Sequence, residues 1–272
     1  MVGTPIGNLE DITLRAIRVL ANVALIAAED TRVTRKLLEK HNIATPMVSC
    51  HQHSGARRTR ELTERLRDGE DIALVADAGM PGVSDPGAQV VSACVEAKIP
   101  VVVAPGPTAS SAALAVSGFS GREHVFLGFL PTKGGERRKV LEQVADQQGA
   151  LVFYEAPHRV VASLKDMLAV FGDREAVCAR ELTKRFEELA RGKLSELIEH
   201  FETQKPRGEF TLVVKGAAGE VEMNLAGAIE EVAELLAMGI SRSRAVAHVA
   251  NHRSIPRNRL YSAVTNELKG TE

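Results

Sequence analysis

Charged or glycine-rich clusters come directly after several predicted strands, and open α/β sheets bind ligands at the carboxyl ends of their strands. The apolar run 72–76 predicts a short buried strand, and the segment 77–87 after it holds three glycines, two prolines and two aspartates. Glycine lets a ligand approach the backbone closely, and aspartate accepts hydroxyl or amino groups. The segment therefore predicts a ligand-binding loop, and the alternative is a plain strand-to-helix connection.

Three other predicted strand ends carry charged residues, at 29–32, 155–159 and 180–184. Loops are polar in any protein, so these clusters alone are weak evidence for a site. The glycine pattern of residues 77–87 matches neither G-x-G-x-x-G nor a Walker loop. Neither a dinucleotide nor ATP is therefore the expected ligand.

The chain has 272 residues, 44% hydrophobic and 25% charged, with a net charge of −1, as in soluble globular proteins. The near-neutral charge restricts any nucleic-acid contact to local patches.

The three cysteines form no C-x-x-C pair, which favours a reducing cytoplasm over a disulfide framework. His51 and His53 have no acidic partner nearby in the sequence and predict a polar loop rather than a metal site. The longest early apolar run, 19–28, is too short to span a bilayer, so no membrane contact is expected.

Hydrophobic periodicity divides the chain into two α/β halves and a helical tail. In the first half, strands alternate with helices four times after an opening glycine-proline loop, which predicts a parallel sheet with right-handed crossovers. The last of these strands is the run 101–104, which is expected to be buried. Met1 and Val2 lead straight into the opening loop, so the first strand is expected to be a stub or to lack residues upstream. Strands of the second half are predicted at 125–130, 151–154, 176–179 and 210–214.

The tail beyond a polar linker at 217–222 differs from the rest in pattern and charge. It predicts a helix at 225–238 and two shorter helical stretches divided near 254–256. Between residues 240 and 269 there are six Lys or Arg residues and one acidic residue. Arginines around a helix–turn–helix pattern favour a nucleic-acid contact, and the alternative is a packing or dimerisation element with a basic surface.

Seven motifs occur together in one order and identify a family. They are GTPIGNL at 3–9, AEDTR at 28–32, DAGMPGVSDPG at 77–87, PGPTA at 105–109, FYEAPHR at 153–159, RELTK at 180–184 and GEFTLV at 208–213. The chain resembles the tetrapyrrole-methylase-like superfamily of S-adenosylmethionine-dependent methyltransferases, and within it the branch that acts on small-subunit ribosomal RNA. The resemblance covers nearly the whole chain. Met80 departs from it, because the family commonly has threonine at that position.

The resemblance implies a fold, a reaction and partners. The fold would be a two-domain α/β class III methyltransferase, with domains at 1–118 and 119–218 and a helical, basic, RNA-binding extension at 219–272. S-adenosylmethionine would bind in the cleft between the domains, without a metal. The reaction would be 2′-O-methylation of a cytidine in the decoding region of 16S rRNA, in the assembled small ribosomal subunit. The enzyme would be a cytoplasmic homodimer.

The resemblance also implies, position by position, which residues line the cofactor cleft. From the first domain these are Pro5, Asp77, Ala78, Gly79, Met80, Gly82, Val83, Thr108 and Ala109. From the second domain they are Tyr154, Glu155, Leu182, Phe210 and Thr211. A loop rich in glycine and alanine leaves backbone groups open to a ligand, and apolar side chains can hold its adenine ring.

Methyl transfer to a ribose hydroxyl requires in-line alignment, and a base that removes the hydroxyl proton would assist it. The candidate catalytic residues are Glu29, Asp30, Glu155 and Lys184, with Glu181 as a further carboxylate. Glu29 and Asp30 are favoured because they leave a strand in the same domain as the central loop. The alternative for Glu155 with Arg159, and for Glu181 with Lys184, is a pair of ion pairs that brace the cleft.

Arginines are the expected contacts to RNA phosphates. They are Arg32, Arg159, Arg180, Arg242, Arg244, Arg257 and Arg259, and Lys184 is a further candidate. Two other functions remain open. One is methylation of a small tetrapyrrole-like substrate, which would not need a basic tail. The other is a non-catalytic RNA-binding assembly protein, which would not need the intact Gly/Asp loop.

Overall fold

The structure is a computed structural model that describes residues 1–51, 55–85, 87–119, 123–217, 220–253, 255 and 257–269. The side chains of a few helical residues, Arg259 among them, also lie outside the described part. The chain forms two compact units, Met1–Lys215 and Gly216–Glu272, which are described separately.

The first unit opens with alternating helices and strands. These are α1 (Leu14–Asn22), β1 (Leu25–Ala28), α2 (Thr31–Lys40), β2 (Met47–Ser49), α3 (Gly55–Arg67), β3 (Ile72–Val75), α4 (Gly87–Glu96) and α5 (Ala109–Ser117). The strands form a sheet in the order β2-β1-β3, and both pairings are parallel. All four residues of the central strand β1 are buried, as expected for a parallel strand covered on both faces. The predicted parallel sheet is confirmed for these three strands.

The prediction of a buried fourth strand at 101–104 is wrong. Val101, Val102 and Val103 are 42%, 76% and 52% exposed, and the segment makes one isolated bridge, from Ala104 to Val2. It contacts the amino-terminal residues, and the Ala104 amide donates to the Met1 carbonyl at 2.8 Å. An apolar run indicates a strand from sequence, but burial requires a partner on each side, and the pattern does not reveal that.

The amino-terminal residues lie between β3 and this segment. The Val2 amide donates to the Leu74 carbonyl at 3.0 Å, and the Gly3 amide donates to the Ala104 carbonyl at 2.9 Å. A Cβ added to Gly3 would lie 2.6 Å from the Cα of Gly106, so the two chain segments approach closely because both residues are glycine. The opening loop is thereby fixed beside the end of β3.

The second half of this unit is a five-stranded mixed sheet covered by helices. Its elements are β4 (His124–Phe129), α6 (Gly134–Glu142), β5 (Ala150–Glu155), α7 (Val160–Phe171), β6 (Glu175–Arg180), β7 (Glu188–Lys193), α8 (Leu194–Thr203) and β8 (Phe210–Val214). The strand order is β4-β5-β8-β6-β7, with β4 and β5 parallel and the other pairs antiparallel. Strand β7 was not predicted, because this edge strand lacks the apolar run that marks a buried strand.

Helix α5 follows the first sheet in the chain but packs on the second sheet. Ala113 is fully buried in an apolar cluster with Val152, Val177 and Val213, which belong to β5, β6 and β8. The small residues of α5 allow this close contact. The packing joins the two halves of the unit and places the start of α5 beside the end of β5.

The second unit, Gly216–Glu272, contains α9 (Glu220–Ala237), α10 (Arg242–His252) and α11 (Arg257–Lys269). Its three predicted helices are confirmed, although α9 begins at Glu220, inside the segment predicted as a linker. Buried apolar residues from all three helices, among them Val232, Val249 and Leu260, form a core of their own. No helix in the described part of the chain is long and apolar enough to cross a membrane.

A buried ion pair fixes α6 against α7, and its removal should destabilise the first unit. Arg137 Nε donates to Asp166 Oδ2 at 2.7 Å, and Arg138 Nη1 donates to Asp166 Oδ1 at 2.8 Å. The Arg137 side chain is 7% exposed, whereas that of Arg138 is 50% exposed. Asp166→Ala should lower the free energy of unfolding by about 3–5 kcal/mol, because it leaves a buried guanidinium unpaired.

Arg138→Ala is the matched control, since it removes the exposed partner of the same carboxylate. We expect it to cost at most about 1 kcal/mol. Urea unfolding followed by circular dichroism measures both values. An equal loss of unfolding free energy in Asp166→Ala and Arg138→Ala would show that burial of Arg137 is not the cause of the destabilisation.

Candidate functional site

A cavity of about 480 Å³ lies in the first unit, where strand ends of both halves meet. It collects residues that follow β1, β3, β4 and β5, together with the starts of α5 and β8. The lining residues are Ile6, Glu29, Ala76, Asp77, Ala78, Gly79, Met80, Val83, Ser84, Asp85, Thr108, Ala109, Phe129, Tyr154, Glu155, Ala156, Pro157, Glu209, Phe210 and Thr211.

Most residues that the resemblance assigned to the cofactor cleft line this cavity. Pro5, Gly82 and Leu182 are the three assigned residues that do not. Pro5 is buried next to Ile6, which does line the cavity. The assignments themselves stay predictions.

The loop after β3 is held by the opening loop of the chain. Thr4 and Gly79 exchange backbone hydrogen bonds, with the Thr4 amide donating at 2.9 Å and the Gly79 amide donating at 3.1 Å. The Thr4 hydroxyl also donates to the Ala76 carbonyl at 3.1 Å. Gly79 has φ +80°, a conformation that favours glycine. These contacts fix the cavity wall formed by residues 76–80.

Asp85 folds the next part of the same loop. Its carboxylate accepts backbone N–H groups from Gly82 and Gly87, each at 2.7 Å. Gly82 has φ +87°, so a side chain there would be strained. Gly82 therefore allows the backbone turn of the loop but does not line the cavity, whereas Val83 and Ser84 do.

Two carboxylates at the ends of β1 and β3, those of Glu29 and Asp77, accept backbone amides from the neighbouring strand end. Glu29 Oε2 accepts the Asp77 amide at 3.2 Å, and Asp77 Oδ1 accepts the Asp30 amide at 2.8 Å. Burial raises the pKa of Glu29, and the negative charges of Asp77, Asp85 and Asp30 raise it further, against the hydrogen bond from the Asp77 amide. Burial also raises the pKa of Asp77. Both groups are therefore stronger bases than ordinary carboxylates.

Asp30 differs from its neighbour Glu29. It is the N-cap of α2, and its carboxylate accepts the Arg32 amide at 2.8 Å and pairs with the Arg32 guanidinium at 2.6 Å. The side-chain hydrogen bond from Arg32 lowers the pKa of Asp30 to about 2. Asp30 is therefore a weak base that starts a helix, and its partner Arg32 is 88% exposed.

Tyr154 connects the second sheet to α5 at the cavity wall. Its hydroxyl accepts the Ser110 amide at 3.3 Å, at the first turn of α5. Phe210 and Thr211 pair with the end of β5 in the antiparallel ladder and are 3% and 4% exposed. Thr108 caps α5 by accepting the Ser111 amide at 3.3 Å.

The structure favours a bracing role for Glu155 and Arg159, which was the alternative in the sequence analysis. The Glu155 side chain is fully buried, accepts the Ser163 hydroxyl and the Ala156 amide, and lies 3.3 Å from Arg159 Nε. Arg159 also donates to the Leu130 carbonyl at 2.5 Å. These contacts engage both side chains within the fold.

Arg180 is likewise engaged within the fold. It donates to Glu188 at 2.7 Å and to the Arg207 carbonyl at 2.8 Å. Both contacts hold β6 against its neighbours. A phosphate contact by Arg180 would therefore compete with these internal hydrogen bonds.

The segment 181–184 is strained and tightly held. Glu181 and Thr183 have φ +50° and +64°, which is costly for residues with a Cβ, and most of all for β-branched threonine. Lys184 Nζ pairs with Glu181 at 2.9 Å and with Glu209 at 2.8 Å. Burial opposes the charged form of Lys184, but these hydrogen bonds outweigh it and raise its pKa. Lys184 therefore stays protonated and cannot serve as a base at neutral pH.

The same segment contacts the opening loop. The Thr183 hydroxyl accepts the Asn8 amide at 3.0 Å. A Cβ on Gly7 would lie 2.9 Å from the Leu182 carbonyl oxygen and 2.6 Å from Lys184 Cγ. Leu182 thus supports the loop that carries Ile6.

Several lining residues were not found from the sequence. Ile6, Ala76, Ser84, Asp85, Ala156 and Pro157 are neighbours of assigned positions in the chain, so the motifs pointed to their segments. Glu209 likewise belongs to the motif at 208–213 and precedes the assigned Phe210. Phe129 is different, because it ends an apolar run with no distinguishing spacing. Strand ends alone could have indicated Phe129, since β4 ends there.

In the second unit, three predicted RNA-binding arginines are exposed. Arg242 and Arg244 lie in the first turn of α10, and Arg257 starts α11. Arg257 Nη2 donates to the Ser243 hydroxyl at 3.0 Å, which brings the starts of the two helices together. The side chain of Arg259 lies outside the described residues. The starts of α10 and α11 therefore carry three exposed arginines.

No group of three or more His, Cys, Asp or Glu residues able to hold a metal occurs in the part of the chain that the structure describes. His53, one of the two histidines considered for such a site, lies outside that part. The cavity instead suits an amphipathic nucleoside-like ligand. Its volume falls in the usual range for small-molecule sites, and it offers carboxylate acceptors beside the apolar surfaces of Phe210 and Tyr154.

The sequence has many close relatives. Residues 1–198 match the family described as Tetrapyrrole (Corrin/Porphyrin) Methylases. The chain is similar to proteins named ribosomal RNA small subunit methyltransferase I. The Synechocystis protein is 46% identical over 96% of this chain and 95% of its own length. The Bacillus subtilis protein is 41% identical over 97% of this chain and 92% of its own length. The Thermotoga maritima protein of that name is 48% identical over 79% of this chain and 97% of its own.

Solved structures share the fold at low sequence identity. The methyltransferase CobJ superposes with a TM-score of 0.61 at 20% identity, over 80% of this chain and 93% of that one. Uroporphyrin-III C-methyltransferase from Thermus thermophilus, complexed with S-adenosyl homocysteine, gives 0.56 at 20% identity, over 78% and 94%. These likenesses agree with the two-sheet α/β architecture and with the sequence match, and the chain belongs to the tetrapyrrole (corrin/porphyrin) methylase family.

Proposed function

We propose that this methylase transfers a methyl group from S-adenosylmethionine to the 2′-hydroxyl of a cytidine in the decoding region of 16S rRNA. The observation that carries the proposal is the cavity in which Glu29 and Asp77 face apolar residues of the second sheet. The names of the relatives at 40–48% identity support ribosomal RNA as the substrate class. Ribosomal subunits are cytoplasmic, so the reaction belongs there.

S-adenosylmethionine supplies an electrophilic methyl group when bound. Asp77 would accept its hydroxyl or amino groups, and the backbone of 78–80 would approach it closely. Phe210, Thr211 and Tyr154 would form the wall against its apolar parts. Gly82, Pro5 and Leu182 would act indirectly, because they support the loops that carry lining residues.

Glu29 is the better candidate for the base. It lines the cavity, and its raised pKa makes it a stronger base than an ordinary glutamate. Asp30 is committed to the N-cap of α2 and to Arg32. We therefore assign proton removal from the ribose hydroxyl to Glu29, and a positioning role to Asp30.

The extension at 219–272 would bind RNA, and the two α/β parts at 1–118 and 119–218 would hold the cofactor between them. Exposed Arg242, Arg244 and Arg257 would contact phosphates. Arg32, which pairs with Asp30 and is 88% exposed, would be a further contact in the first unit. Phosphate contacts position an RNA but carry no sequence information. Other residues of the protein, or the structure of the small ribosomal subunit, must therefore select the nucleotide.

The enzyme would be a homodimer, as the resemblance implies. Light scattering on the full protein tests this assembly, and the molar mass of a single chain would reject it.

The activity is tested with labelled S-adenosylmethionine and three acceptors: unmodified small ribosomal subunits, naked 16S rRNA and a tetrapyrrole precursor. We expect label in the subunits, at a ribose that becomes resistant to alkaline cleavage. Label in the tetrapyrrole alone would show that the protein is a methyltransferase with a small-molecule substrate and not an RNA substrate. Cofactor binding without label in any acceptor would favour the non-catalytic alternative.

Replacing Glu29 should remove the ionisation that controls activity at low pH. Glu29→Gln should lower kcat by about 10²–10⁴-fold, the usual contribution of a general base. In the wild type, activity should fall as the pH drops through the raised pKa of Glu29, because protonation removes the base. This acidic limb should begin above the ordinary glutamate range and should be absent from the residual activity of Glu29→Gln.

Asp30→Asn is the matched control, one residue away. It should keep the acidic limb and change stability little, because asparagine caps a helix about as well as aspartate. The pH dependence of kcat/KM, measured with saturating cofactor, separates the two variants. Loss of the limb in Asp30→Asn but not in Glu29→Gln would reverse the assignment.

A further inference from the structure

A β-bulge near the end of β4 redirects one aromatic side chain. The register with β5 shifts between Phe126 and Gly128, and Gly128 has φ +63°. Side chains three residues apart on a regular strand point to opposite faces. Here Phe126 and Phe129 both contact the Tyr154 ring, at centroid distances of 4.9 and 5.5 Å. Bulges beside active sites commonly re-aim a side chain in this way.

The redirected Phe129 is held in place but remains open. Its ring meets Tyr154 in an edge-to-face arrangement, and the residue is still 57% exposed. A Cβ on the preceding Gly128 would lie 3.1 Å from the Ser84 hydroxyl oxygen, so the end of β4 abuts the loop after β3. Phe129 and Val83, which is 43% exposed, are the exposed large apolar residues of the cavity lining.

We propose that Phe129 is a stacking platform for the nucleobase of the target nucleotide. The inference rests on the proposed RNA substrate and adds a residue that contacts the target base. An exposed aromatic ring at a nucleic-acid site gains most from stacking on a base. The edge-to-face contact with Tyr154 fixes the ring before the base arrives, which reduces the entropy lost on binding.

The position of Phe129 favours the base of the RNA over the adenine of the cofactor. The buried part of the cavity is formed by Phe210 and Thr211, at 3% and 4% exposure, whereas Phe129 and Val83 form its open side. A free cofactor can enter the buried part. A nucleotide joined to a polymer reaches only as far as its backbone allows, so its base meets the residues of the open side.

The absence of tryptophan from the chain makes a direct test available. Phe129→Trp places a single indole at the platform, and Phe186→Trp places one at a residue that is 67% exposed and outside the cavity lining. Each variant is titrated with S-adenosylhomocysteine and then with a single-stranded oligoribonucleotide containing one cytidine. The same oligonucleotide with an abasic site at that position shows whether the base is required, and anisotropy of labelled RNA reports binding independently.

We expect the cytidine oligonucleotide, and not the abasic one, to quench the Phe129→Trp fluorescence, with no such difference in Phe186→Trp. Quenching by S-adenosylhomocysteine alone would assign the ring to the cofactor and overturn the inference. RNA binding by anisotropy without a base-dependent change would also overturn it. Quenching by a tetrapyrrole precursor, with no RNA binding, would instead indicate that the proposed substrate is wrong.

Kinetics supply a second readout. Phe129→Leu should raise the KM for small ribosomal subunits about ten-fold, with little change in kcat or in cofactor affinity, because it removes the stacking surface. Phe129→Tyr should restore the KM, and Phe186→Leu should leave it unchanged. A wild-type KM in Phe129→Leu would overturn the inference even where subunit methylation itself is established.

Discussion

The packing of α5 on the second sheet is the interaction on which the site depends. Ala113 is fully buried against Val152 and Val213, so a helix that follows the first sheet forms part of the core of the second. This contact sets the distance between the two halves. It places Ala109 and the Ser110 amide beside Tyr154, and the cavity is the space left between the strand ends. A larger residue than alanine at this contact would widen that space.

Backbone hydrogen bonds, more than ion pairs, organise the acidic side of the cavity. Glu29 and Asp77 each accept an amide from the other strand end, which keeps two carboxylates close in a partly buried place. Closeness and burial raise the pKa of both, whereas Arg32 lowers that of Asp30. Neighbouring carboxylates whose pKa values are shifted in opposite directions are suited to different roles. The geometry therefore separates a proton acceptor from a helix cap.

Ion pairs dominate the opposite side. Glu155 with Arg159, and Lys184 with Glu181 and Glu209, hold loops in place, and the strained Thr183 persists because its neighbours fix it. These contacts join the segment 181–184 to the opening loop. Rigid loops around the cavity preserve the alignment that methyl transfer requires.

The sequence by itself determined the parallel first sheet, most helices and the segments that supply the cavity, because apolar periodicity and glycine-rich strand ends are local signals. It did not determine that Val101, Val102 and Val103 would be exposed, that β7 exists, or that Phe129 lines the cavity. It also could not separate Glu29 from Asp30, which are adjacent in the chain. Burial, strand partners and pKa values depend on residues distant in sequence, so only the tertiary structure decided them.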